Sequence, residues 1–174
     1  MKPLKQVAQA YMALSKGERG LQEGAFEEAV SEYQKAMAVT RTIPQEEVFD
    51  HDGFDALCHA GLSSAFRQLE QYEESLASAE KALRYFNRRG ELHQDEGKQW
   101  IAAVVSRAFA LARTGQPKDA LRAFHRAGEM IADRNGDWPE KKELQKTVSD
   151  NIAFLQTSMP EDNAKRKAWW EFWS

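Results

Sequence analysis

Apolar residues recur along the chain at steps of three and four, and no window alternates apolar with polar strictly, so the period is helical throughout. Seven helices are expected, at 3–22, 25–42, 45–70, 72–88, 92–114, 117–134 and 139–157. Pro44 stands at the expected start of the third, where its missing N–H costs nothing. Asp137, Trp138 and Pro139 mark the start of the seventh. That helix puts Leu144, Val148, Ile152 and Leu155 on one stripe with charged residues opposite, the pattern of an element covering an otherwise open core. Ala, Leu, Glu, Gln, Lys and Arg, which lose least on entering a helix, dominate.

The chain also repeats itself. Residues 24–37 recur at 70–83 and again at 115–128, offsets of 46 and 45. Small residues hold matching columns: Gly17, Ser63 and Ala108; Ala29, Ser75 and Ala120; Ala36, Ala82 and Ala127. Small side chains at these spacings let two antiparallel helices approach closely, while Phe26, Tyr33, Tyr72, Leu76, Leu121 and Phe124 fill the remaining space. Gly24 and Gly115 mark the tight turn between paired helices, where a left-handed residue is needed.

These columns resemble the tetratricopeptide repeat, or TPR, a helix-turn-helix unit that stacks into a superhelix. The usual TPR period is about 34 residues, and the surplus here falls in helical sequence, so longer helices are expected. Over residues 1–157 the chain is similar to a small uncharacterised bacterial TPR-like domain family, with Phe49 to Ala56 and Tyr85 to Leu92 carrying the likeness. The resemblance implies an all-α, right-handed TPR-like superhelix of three long repeats, about 3–42, 45–88 and 92–134, closed by a capping helix at 139–157. A linker at 158–163 and a tail at 164–174 would follow.

The resemblance also implies a working surface, the concave groove lined by the first helix of each repeat. Residue by residue, it would present Tyr11, Leu14 and Glu18, then Leu57, Ala60, Ser64 and Arg67, then Ala102, Val105, Phe109 and Arg113. Leu14, Ala60 and Val105 stand where some TPRs carry a Lys/Asn/Arg clamp for a terminal carboxylate, so an apolar or aromatic peptide with some acidic character is the expected partner. The expected role is a non-catalytic scaffold or adaptor, with no cofactor.

Composition narrows the alternatives. The balance of 24 Lys+Arg against 27 Asp+Glu leaves a net charge of −3, which gives no electrostatic footprint for nucleic acid. One cysteine, Cys58, allows no internal disulfide and fits a reducing cytoplasm, as does the lack of an apolar stretch behind the first charged residues. There is no Gly-rich phosphate loop, His-Glu-x-x-His pair, Cys-x-x-Cys or nucleophile elbow.

Two polar clusters offer other chemistry. His51, Asp55 and His59, spaced by four on one helix, could present metal ligands; helix capping and solvation explain the same residues more simply. Arg84, Arg88, Arg89 and His93 could hold an anion, although cations gather near a helix C-terminus in any case. Finally, three of the five tryptophans fall within the last six residues. Trp169, Trp170, Phe172 and Trp173 follow the basic run Lys165-Arg166-Lys167. Covering each aromatic would gain about 1.5–3 kcal/mol. The cover could be the chain's own fold, a neighbouring copy, giving a homo-oligomer or a polymer by tail exchange, or a membrane surface.

Overall fold

The computed structural model describes residues 4–159, and the tail aromatics at 169–173 lie outside them. Among the described residues there are seven helices and no strand: α1 (Leu4–Glu23), α2 (Phe26–Thr40), α3 (His51–Gln68), α4 (Tyr72–Arg89), α5 (Gly97–Arg113), α6 (Pro117–Asp133) and α7 (Lys141–Ser158). α1 packs on α2, α3 on α4 and α5 on α6, and successive pairs stack through α2 on α3 and α4 on α5. α7 covers α6, with Val148 and Leu155 buried and Leu144 and Ile152 packed against the same core. No described helix is long and apolar enough to cross a membrane.

The turn inside each pair is the same structure three times. Gly24, Glu70 and Gly115 all take positive φ, at 77°, 59° and 79°. The residue after each donates its N–H back five positions, Ala25 to Gly20, Gln71 to Phe66 and Gln116 to Leu111, at 2.8–2.9 Å. This is the left-handed closure that satisfies the last carbonyls of a helix. The small columns then come together: Ala29, Ser75, Ala120, Ser63, Ala108, Ala36, Ala82 and Ala127 are fully buried. In the second pair the two serines add a bond across the contact, Ser75 Oγ donating to the Ser63 carbonyl at 2.8 Å.

Close approach also carries one pair onto the next. The buried Tyr33 ring of α2 lies between Gly17 of α1 and Gly61 of α3; a Cβ on Gly17 would stand 2.9 Å from the ring, and one on Gly61 would overlap it.

The joints between pairs depart from expectation. α3 begins at His51, not near 45, and α5 at Gly97, not 92, so the surplus over a shorter repeat goes partly into connections 41–50 and 90–96 instead of helix alone. Pro44 therefore lies in a connection, where its carbonyl accepts from Glu47 N at 3.1 Å. Asp50 decides where α3 starts. Its Oδ1 accepts from Gly53 N at 2.9 Å as an N-cap, and Phe49 packs on Phe54 at 5.6 Å across that cap, a hydrophobic staple. Arg134 holds the second joint open: its buried guanidinium donates to the carbonyls of Leu92 and Gln94 at 2.6 and 2.7 Å.

Candidate functional site

The residues assigned to a ligand-binding face come from α1, α3 and α5, and α3 packs against both of the others. Three repeat-related rows behave differently. Leu14, Ala60 and Val105 are 7%, 1% and 2% exposed and belong to the core. This corrects the expectation for Leu14, Ala60 and Val105: all three are covered where the first helices and their partners meet, so the row lies beneath the face without lining it. Tyr11, Leu57 and Ala102 stay open in part, as do Glu18, Ser64 and Phe109. Tyr11 is half exposed and sets its ring edge-on to Phe54 at 5.1 Å. Ser64 Oγ lies 3.4 Å from Ser106 Oγ, joining α3 to α5.

The two arginines of this face are seated on aromatic rings. Arg67 stacks over Phe109 at 4.9 Å, and Phe109 in turn meets Phe124 edge-on at 5.1 Å. Burial lowers the Arg67 pKa below its ordinary value, and its Nε is enclosed with no hydrogen-bond partner among the described residues. Arg113 lies over Tyr72 at 5.6 Å and remains exposed. The face is thus mixed, with apolar points at Tyr11, Leu57 and Phe109 beside the two arginines.

His51, Asp55 and His59 do share a side of α3, yet no three His, Cys, Asp or Glu side chains among the described residues are grouped to hold a metal. His51 meets Phe49 edge-on at 4.8 Å. Burial, reinforced by Lys81 and Arg41, pushes His59 down to about 4. Burial raises Asp55 against the opposing pull of Arg41 and His51. The same Lys81 and Arg41 charges that depress His59 repel a cation from this side of α3. Cys58 is fully buried, and burial, with Asp55 and Glu18, pushes its thiol up to about 12, so it packs as a small core residue and is no nucleophile at neutral pH.

The expected arginine cluster disperses. Arg89 pairs with Glu91 at 3.1 Å, Arg88 Nε donates to the Arg84 carbonyl at 3.1 Å, and His93 Nδ1 accepts from Asn135 N at 3.2 Å. Arg84 instead joins a constellation that local pattern cannot reveal, a cleft of about 390 Å³ between α4, α5 and α6. Beside it Asn87 Oδ1 accepts from Trp100 Nε1 at 3.0 Å and from Arg126 at 2.8 Å. Asp50 is a second such residue: its free Oδ2 accepts from the Tyr85 hydroxyl at 2.9 Å. The N-cap half of its role is readable from Asp-x-x-Gly; the partner 35 positions away is not.

The fold has a known counterpart. A crystal structure of a TPR-like protein from Chlorobium tepidum TLS superposes with a TM-score of 0.86 at 51% identity, covering 90% of this chain and 99% of that one. A search of curated proteins finds no match. TPR-like folds are in general protein-interaction scaffolds and typically non-catalytic. The family profile described as Domain of Unknown Function (DUF3856) matches residues 2–144, and the chain belongs to that family, on a TPR-like helical repeat.

Proposed function

We propose that the chain is a non-catalytic adaptor that holds an apolar or aromatic peptide across the α1–α3–α5 face. One observation carries this reading: Tyr11, Leu57 and Phe109, on three successive first helices, remain partly open above a buried row. Ser64 and Arg113 supply polar partners along the same strip, and Arg113 is free to meet an acidic side chain in the peptide. Segment 164–174 of this chain has the matching chemistry, with Glu171 among Trp169, Trp170, Phe172 and Trp173, and serves as ligand in the same molecule or in a neighbour.

A synthetic peptide of residues 164–174, added to protein truncated after Met159, tests this. Saturable binding that weakens by about tenfold in Tyr11→Ala or Phe109→Ala is expected, the loss of one well-covered aromatic contact. Binding that ignores both substitutions refutes the assignment of the face. Light scattering on the full chain separates the two placements of the tail: mass that rises with concentration and falls on truncation marks exchange between copies.

A further inference from the structure

We propose that the cleft between α4, α5 and α6 is a binding site for a small oxyanion, a molecule bearing phosphate or carboxylate groups. Arg84, Arg107 and Arg126 reach it from three different helices and two repeats, and Glu80 is the one carboxylate on its walls. Glu80 pairs with Arg107 at 3.8 Å, which leaves two guanidinium charges uncompensated in the cleft. Arg126 is already oriented, since it donates to Asn87 while lying 5.9 Å over the Trp100 ring. Arg84 forms no ion pair among the described residues.

Like charges gathered on separate helices repel, and no side-chain partner among the described residues fixes Arg84 there: the cleft floor is Leu83, Val104 and Ala123, all buried core. An oxyanion relieves that repulsion and uses the guanidinium fork, which matches phosphate and carboxylate oxygens. A volume of about 390 Å³ suits a small molecule more than a folded partner. This site lies on the α4–α6 side and is independent of the peptide-binding strip.

Calorimetric titration of the full chain with pyrophosphate and, separately, with citrate at constant ionic strength tests the proposal. Saturable binding of either is expected, and which of the two binds more tightly tells phosphate from carboxylate. Arg84→Ala should weaken it by about tenfold, the loss of one charge-assisted contact. Arg84→Lys, which keeps charge without the fork, should fall between, and Arg88→Ala, which alters an arginine outside the cleft, should leave binding intact. The proposal is overturned by the absence of saturable binding of both anions, by equal weakening in Arg84→Ala and Arg88→Ala, or by an Arg84-dependent interaction seen only with an oligoglutamate peptide.

Discussion

Glu70 occupies the position that Gly24 and Gly115 occupy in the other pairs, and it keeps their left-handed backbone at φ 59°. A residue with a Cβ is strained there by roughly 1–2 kcal/mol, partly offset by the smaller entropy it loses on folding compared with glycine. Glu70→Gly should therefore stabilise the chain by about 0.5–1 kcal/mol in urea denaturation, and Gly115→Ala should destabilise it by a similar amount. His59 makes a different prediction. Its folded-state pKa, about 4, lies below the ordinary 6.5, because burial and the charges of Lys81 on α4 and Arg41 at the end of α2 disfavour the proton. The unfolded chain then binds more protons between those values, so His59 makes stability fall as pH drops from 6.5 toward 4. Asp55, whose pKa burial raises from 3.8, acts in the opposite sense at the acid end of that window. Denaturation midpoints at pH 7.5 and 5 should differ less in His59→Leu than in the parent; an unchanged difference would show that His59 is not the group responsible.

At the scale of the element, α3 shows what capping decides. Asp50 closes the first turn with one oxygen and holds Tyr85 of α4 with the other, and burial together with that bond pushes the Tyr85 phenol up to about 12. Gly53 leaves room for both, since a Cβ there would collide with the Asp50 carboxylate. Asp50→Ala should cost about 1–2 kcal/mol by thermal unfolding, and Asp50→Asn, which can still cap, much less. The same helix shows what was legible in advance. Seven helices, the paired small columns and the left-handed turns at Gly24 and Gly115 follow from local spacing and residue type, whereas the same turn at Glu70 carries no glycine to announce it. The start of α3 is not legible locally, because residues 45–50 satisfy helical propensity while Asp50 and the Phe49–Phe54 staple stop the helix entering them. The burial of Leu14 and Val105 was hidden for a related reason: an apolar residue on a first helix looks the same whether it lines a groove or supports one. Arg134 and the Arg84–Arg107–Arg126 cleft depend on partners tens of residues away and leave no periodic trace.

For the whole molecule, α3 divides the interior. Phe54, Cys58, Leu62 and Ala65 face a core shared with α1 and α2, while Ala56 and Ala60 belong to the larger core that runs on to α7. The first pair is therefore attached through one neighbour, and the core it shares with α3 is the smaller of the two. Amides of α1 and α2 should exchange with solvent through a lower-energy opening than those of α5 and α6. Equal protection along the chain would mean that α3 transmits the stability of the larger core in full.

The three turns within pairs are interchangeable, and the joints between pairs are not. Connection 41–50 is anchored by buried Ile43 and ends on the Asp50 cap, whereas 90–96 begins with Gly90 at φ 68° and is gripped from a distance by Arg134. Curvature of the stack is consequently written in its joints. Lengthening 41–50 by a residue would re-aim the first hairpin against the rest while leaving the inside of every hairpin as it was, so the shape of the stack can change without touching the residues that make each pair fold.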